Sequence, residues 1–447
     1  MSELKTAVQT ILDRQGDYQT AERYYNGTVD EIFASAAVKR ALAKSGDQFR
    51  VNYAKTPVDA VSSRLEITGV TTLSDGAKAV VDQSWQQNNL ELELAQIITK
   101  TLIYGDSYVF VWPDEQQQTQ IYYNSPLSTV VIYDVENPRR AAYAAKLWTV
   151  ELADGTERTR VNLYFADKIV KYVSRGQRLP MTVQDSDFEP FVDDDTDELG
   201  QVVNEFGQIP IFHLTTGDQY GTPEHQAAYG PQNAINKLLI SQMASVESYG
   251  FPTRYVLAGE HTGSPSDFGD EDDSDSLSSG PGEVWWLQNV AKVGQFEAAK
   301  PETLISSYRE YVRAMASVTS TPLHYFENTQ TNVSGEALRA SEAPLVKKVR
   351  QRQLSIGAAL RRVFLFVLKL NDIDEDVQLQ WRQIESIDTQ EQWDIAYKKL
   401  QAGLPVEQIL LEQGYDTVLI DRWKTEGLLN QVAQQSDLSN NIIEGAA

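Results

Sequence analysis

Apolar residues fall at helical spacing from the start of the chain. Leu4, Val8, Ile11 and Leu12 share one helical face, the run from Val29 to Ala43 mixes apolar and charged residues in the same way, and Tyr24-Tyr25-Asn26-Gly27 separates the two. The pattern predicts further helices over Val58–Leu65 and Asn89–Tyr104, the second closing at Gly105, where a left-handed cap is natural. The period then changes to that of strands. Ser107–Trp112, Gln120–Tyr123, Thr129–Asp134, Tyr143–Val150 and Arg158–Phe165 are rich in β-branched and aromatic residues, with Asn137-Pro138 and Asp154-Gly155 between them as turns.

Beyond Asn204-Glu205-Phe206-Gly207 the pattern predicts a strand over Ile209–Leu214 and a helix over Pro231–Tyr249, with Ile235, Leu238, Leu239, Met243 and Val246 on one face. Thr253–Leu257 and Glu283–Leu287 read as strands. Leu304, Ile305, Tyr308, Tyr311, Val312 and Met315 define another amphipathic helix, ended by Thr321-Pro322. The longest periodic stretch runs from Ser334 to Asn371, where Leu345, Val349, Ile356, Leu360, Val363 and Val367 form the stripe of a helix packed on one side. Pro344 is expected to kink or interrupt it. Val377–Trp381 reads as a strand, Thr389–Ala402 as a helix, and the last dozen residues as a frayed end. The fold class is α+β.

Charge singles out the long helix. The chain of 447 residues carries 63 acidic and 39 basic side chains, a net charge of −24, which opposes tight nucleic-acid binding over the whole surface. Within Ser334–Asn371 the balance reverses: Arg339, Lys347, Lys348, Arg350, Arg352, Arg361, Arg362 and Lys369 face only Glu336 and Glu342. Most of these bases fall opposite the apolar stripe, with Arg352 at its edge. Two acidic runs lie elsewhere. Asp185–Glu198 holds eight acids and no base and reads as a solvated loop, and Asp267, Asp270, Glu271, Asp272, Asp273 and Asp275 lie among serines and glycines in a second insertion. The first run lacks calcium-loop spacing, and both read more readily as solubility devices than as partner sites.

The chain has no Gly-x-Ser-x-Gly elbow, no Gly-Lys phosphate loop and no Gly-x-Gly-x-x-Gly fingerprint. His213, His225, His261 and His324 are scattered and lack metalloprotease spacing. With no cysteine there is no disulfide or thiolate site, and no metal or cofactor is expected. Met1-Ser2-Glu3-Leu4-Lys5 does not open like a signal peptide, and no apolar run approaches the roughly 18 residues of a membrane span. Paired carboxylates of a hydrolase stay open, since 63 acids offer many pairs.

Several stretches together resemble the portal proteins of tailed bacteriophages. In the N-terminal part these are Tyr24-Tyr25-Asn26-Gly27, Asn52-Tyr53, Pro57-Val58-Asp59-Ala60-Val61, Arg64-Leu65 with Gly69, Tyr104-Gly105-Asp106-Ser107-Tyr108-Val109, Tyr133-Asp134 with Asn137-Pro138-Arg139-Arg140, and Asn204–Pro210. In the C-terminal half the order of elements is similar, as are Asn332–Arg339, which resembles the opening of the family's long helix, and Lys398-Lys399-Leu400 through Pro405. The resemblance implies a wing over 1–222, stem helices over 223–249 and 301–320, a clip over 250–300, a tunnel loop over 321–335, a kinked tunnel helix over 336–371 and a wing or crown region over 372–447. Thr329, Gln330, Thr331, Asn332, Val333, Ser334 and Gly335 would form the tunnel loop proper. The acidic insertion at 267–275 departs from the family's pattern in the clip and puts its partner contacts in doubt.

What the resemblance implies is a homo-oligomeric ring of twelve subunits at one capsid vertex, present in the virion and, during assembly, in the host cytoplasm. Double-stranded DNA would pass through it without sequence readout during packaging and ejection. Terminase, head-completion proteins, major capsid protein and scaffolding protein would be its partners, with no membrane and no enzymatic step. Arg339, Lys347, Lys348, Arg350 and Arg352 are the candidate channel-facing bases. A few bases on an otherwise acidic wall would give weak, screened, register-free phosphate contacts. The same bases could instead form a solvated face or pair with acids across the ring, and Trp285-Trp286 could serve a clip interface or a buried core. A head-tail adaptor or minor capsid protein is the alternative from the same setting.

Overall fold

The computed structural model describes residues 2–29 and 51–427, apart from 153–154, 194–195, 218, 251–253, 259–289, 296–300, 328–333, 385–388, 414, 416 and 426. The expected helix over Val29–Ala43 and strand over Glu283–Leu287 lie essentially outside them, as do all six acids of the second insertion and residues Thr329–Val333.

Helix α1 (Glu3–Asn26) opens on Ser2, whose hydroxyl accepts from the Lys5 amide, and stops at Gly27 with φ 71°. Its apolar face, Leu4, Val8 and Ile11, is buried as the spacing predicts. After α2 (Thr56–Ser62) and β1 (Ile67–Thr71) come α3 (Asp75–Gln87), capped by Ser74, and α4 (Leu90–Tyr104), which ends where Gly105 takes φ 87°. Strands β2 (Asp106–Pro113), β3 (Thr119–Asn124), β4 (Thr129–Tyr133), β5 (Ala141–Glu151) and β6 (Glu157–Tyr164) follow within two residues of their expected bounds. Three further strands went unpredicted: β7 (Lys168–Ser174), β8 (Phe188–Pro190) and β9 (Gln201–Val203).

These strands form two antiparallel sheets. In the smaller, β2 lies between β3 and β10 (Ile211–Thr215); in the larger, the order is β4-β5-β6-β7-β8, with β9 also on β7. Helix α1 packs on the larger sheet, burying Leu4, Val8 and Ile11 against Val130, Tyr143, Val161, Leu163 and Val170.

The described residues of the run Asp185–Glu198 are not the solvated loop its composition suggests. Phe188 is buried in the sheet core, Glu189 pairs with Arg158 and Arg175, and Asp193 pairs with Arg160 and Lys171. The run lacks bases of its own, but β6 and β7 supply them from across the sheet, so its order is tertiary rather than local.

The C-terminal half is organised by helices. Helices α5 (Tyr229–Gly250) and α6 (Pro301–Val318) pack together, and between them in the chain β11 (Arg254–Ala258) and β12 (Val290–Gln295) pair antiparallel. At their base Ile235, Val312, Met315 and Phe326 are buried with Tyr24 of α1. Helix α7 (Gly335–Lys369) is 35 residues long, and Pro344 lies inside it without ending it. Its stripe from Leu345 to Val367 enters the largest core, among residues of α2, α4, β2 and β10. Strand β13 (Gln378–Trp381) returns to pair antiparallel with β1, and α8 (Thr389–Gln401), α9 (Val406–Glu412) and α10 (Thr417–Thr425) complete the described chain.

Candidate functional site: the basic helix and its buried anchors

The two faces of α7 have different fates. Leu345, Val349, Ile356, Leu360 and Val363 are all but fully buried, whereas Arg339, Lys347, Arg350, Leu354, Ala358, Arg361 and Arg362 are exposed. Ser334 and Gly335, the described end of the expected tunnel loop, start this helix: the Ser334 hydroxyl accepts from the Ala337 amide, and Gly335 is the first helical residue.

The five bases singled out in the sequence separate into two groups. Arg339, Lys347 and Arg350 lie on the exposed face. Lys348 and Arg352, one turn apart, converge instead on Glu224, whose side chain is 2% exposed. The Lys348 ammonium lies 2.8 Å from one carboxylate oxygen and the Arg352 Nε 2.7 Å from the other. The same ammonium donates to the Thr319 carbonyl just past α6, and the Arg352 guanidinium donates to the Thr216 carbonyl just past β10. Burial would raise the Glu224 pKa, but the two cations outweigh it and hold the carboxyl below its ordinary range. Lys348 and Arg352 therefore fasten the long helix to the base of the helix pair and to the smaller sheet, with Glu224 neutralising both. Lys348 and Arg352 are committed within the subunit.

A second anchor lies two turns earlier on α7. Glu342 accepts from Arg64 at 2.9 Å, and Arg64 also donates to the Tyr325 hydroxyl. Near the other end, Arg361 pairs with Asp376 and the Lys369 ammonium donates to the Phe206 carbonyl. Neither Glu224 nor Glu342 carries a sequence signal of this role, because their partners lie more than a hundred residues away and no local spacing encodes them.

A further polar cluster holds α1 to the sheets. Asp106, fully buried at the start of β2, accepts from Arg14 Nη2 and the Tyr18 hydroxyl at 2.8 Å, from the Gly221 amide at 2.7 Å and from His213 Nε2 at 2.9 Å. The other ring nitrogen, His213 Nδ1, is hydrogen-bonded to the Tyr133 hydroxyl, 2.7 Å away. Burial would raise the Asp106 pKa, yet His213 and the other donors hold it below the ordinary range. The Tyr133 phenol is pushed up to about 12 by its own burial, against the opposing charge of Arg362. With four donors on Asp106 and the Tyr133–His213 bond beside them, the cluster ties α1, β2, β4 and β10 together. The alternation Ile211-x-His213, which aims a histidine inward, was the available signal for this cluster. Nearby, Gly221 touches the turn after α4 so closely that an added Cβ would sit 2.1 Å from the Gly105 carbonyl oxygen.

Among the described residues no group of three or more His, Cys, Asp or Glu side chains could hold a metal ion, and no helix is long and apolar enough to cross a membrane.

Residues 9–427 match the model of the family described as phage portal protein, SPP1 Gp6-like. The portal protein of Mycobacterium phage L5 is 24% identical over 397 residues, 82% of this chain and 76% of the relative, and that of Mycobacterium phage D29 is 24% identical over 396 residues with the same coverage. Among solved structures, a chain in the virion of a native gene transfer agent particle is similar at 14% identity and TM-score 0.42, covering 88% of this chain and 93% of that one. A chain in the neck of a native gene transfer agent particle aligns at 12% identity and TM-score 0.44, covering 85% of this chain and 94% of the other.

Proposed function

Because the chain belongs to the SPP1 Gp6-like family of phage portal proteins, we propose that its subunits close into a ring of twelve, the usual number in the family, at one capsid vertex of a virion. That ring is the passage for double-stranded DNA in packaging and ejection and the platform on which terminase and head-completion proteins dock. The observation that carries the reading is α7: an unbroken helix with a buried apolar face and an exposed basic face, in a chain of net charge −24. A duplex moving along such a helix meets few positive charges, and an acidic surround discourages lasting contact.

Under this reading the part up to residue 222 is the wing, α5 and α6 are the stem, residues 250–300 the clip, residues 321–335 the tunnel loop, α7 the tunnel helix, and the chain from 372 the crown region. Arg339, Lys347 and Arg350 are the bases assigned to the channel, with Lys348 and Arg352 reassigned to anchoring because Glu224 holds them. The subunit performs no bond-making step, and assembly takes place in the host cytoplasm together with capsid and scaffolding proteins. Negative-stain electron microscopy of the purified protein, with end-on views classified without imposed symmetry, tests the reading. Closed rings with an opening the width of a duplex are expected. Monomers alone, even with scaffolding and capsid subunits supplied, would overturn it.

A further inference from the structure

The last three described helices take no part in the packing that holds the rest of the molecule. None of the described residues from Thr389 to Thr425 belongs to the four buried apolar clusters. Among the described residues of this unit, the buried apolar side chains are Ala396, Ile409 and Ile420, one from each helix. Helix α9 is the middle element: α8 and α10 each pack on it, with Lys399 of α8 paired to Glu412 and Lys424 of α10 paired to Glu407 at 3.0 Å. Both pairs are solvent-exposed and add little. Below about 40 residues a folded unit needs disulfides, a metal or association to make up for the core it lacks. The chain has no cysteine, and among the described residues no group of side chains could hold a metal ion, which leaves association.

The outer helices carry the side chains for it. Trp393 and Tyr397, one turn apart on α8, are 48% and 58% exposed. Gly403, at φ 86°, closes α8, and the Leu404 amide donates to the Lys399 carbonyl, which brings the exposed Leu404 side chain back beside the last turn. Among the described residues Trp393 is the one exposed tryptophan and Tyr397 the most exposed tyrosine. On the opposite helix, α10, Leu419 is exposed as well, whereas α9 shows no exposed large apolar side chain among its described residues. The bare apolar surface therefore lies on two flanks, one aromatic and one aliphatic. Tryptophan and tyrosine supply large contact area and are the residues that most often anchor protein interfaces.

We propose that the α8 flank of one subunit, through Trp393 and Tyr397, packs on the α10 flank of a second copy around Leu419, so that this helical unit is completed only in the assembly. The inference rests on the ring reading given above. A ring contact is heterologous, a patch on one subunit meeting a different patch on the next. A three-helix layer with unlike apolar flanks on its two outer helices has that form, and repeated around a closed ring it leaves neither flank bare. A second copy also supplies the missing core in the same number as the units that lack it. The competing occupant is the remainder of the same chain, residues 428–447, which lie outside the described residues.

The test uses the full chain. Trp393→Ser with Tyr397→Ser is expected to shift ring formation, followed by native mass spectrometry, to at least about tenfold higher subunit concentration, with circular dichroism showing the wild-type fold. Independently, the photocrosslinking residue p-benzoylphenylalanine replaces Tyr397 in rings assembled from mixed isotope-labelled and unlabelled subunits. A mixed-isotope adduct joining position 397 to α10 supports the contact, even if the double substitution disturbs the fold. Rings that form at the wild-type concentration from a folded double variant would overturn the proposal, as would mixed-isotope adducts that avoid α10. Adducts confined to single subunits would overturn it too, and their mapping to residues 428–447 would assign the flank to the chain's own end. Absence of rings from the wild-type chain would instead remove the ring reading itself.

Discussion

At the scale of single residues, the buried charges do more to define this molecule than the exposed ones. Glu224 neutralises Lys348 and Arg352 at once, and those cations are 18% and 14% exposed. Glu224→Gln leaves them facing a neutral amide in a largely dry site, and is expected to cost about 3 kcal/mol, near the lower end for a broken buried pair because both cations keep some contact with water. Denaturant unfolding of the subunit measures it. Lys347→Gln and Arg350→Gln, on the exposed face, should leave the same midpoint nearly unmoved. His225, adjacent in sequence, gives a pH dependence of its own. It is fully buried, its Nε2 donates to the Ala21 carbonyl, and burial lowers its pKa from the ordinary 6.5 to about 4. The unfolded chain thus takes up a proton that the folded chain refuses. Stability is complete above pH 6.5 and falls as the pH drops toward 4, by an amount on the order of 3 kcal/mol from this group. His225→Gln should flatten the stability profile across that window, a change that equilibrium unfolding at several pH values would detect.

At the scale of elements, Pro344 is the clearest local conflict. It removes one backbone donor from the interior of α7, yet the helix continues, because the buried stripe beginning at Leu345 and the Glu342–Arg64 pair secure the turns on either side of it. Pro344→Ala restores the donor and is expected to raise stability by up to about 3 kcal/mol, read as a higher midpoint in denaturant. The sequence conveyed α1, α4, β2 to β6, α5, α6 and α7 because each carries its own period and its own stop, as Gly27 and Gly105 show. It did not convey β1, α3, β7, β8, β9 or β12. Strands of three residues such as Phe188–Pro190 are too short for a period to show, and an acidic run that finds its cations on β6 and β7 gives no local sign of order. The candidate site divides along the same line. The exposed and buried faces of α7 were legible from spacing, whereas the capture of Lys348 and Arg352 by Glu224 depended on a partner 124 and 128 residues away.

At the scale of the whole molecule, the exposed face of α7 includes one large apolar side chain that the subunit alone does not explain. Leu354 is 77% exposed, between Arg350 and Ala358 on the same face. In an isolated subunit Leu354→Ser should change stability by no more than about 0.5 kcal/mol. If α7 is covered in the assembled ring, the same substitution lowers the denaturant concentration at which rings dissociate, and comparing subunit unfolding with ring dissociation separates the two effects. The pairing of β1 with β13 has a consequence for how the protein is made. Ile67 meets Trp381, so a strand near the beginning of the chain waits for one more than three hundred residues later. On a ribosome adding about 10 residues per second, that wait lasts roughly half a minute. Until then the apolar surfaces of α2 and α4 lack the α7 stripe that covers them. A chain broken off before α7 therefore lacks the stripe that completes its main core, and one broken off before Trp381 leaves β1 without its partner strand.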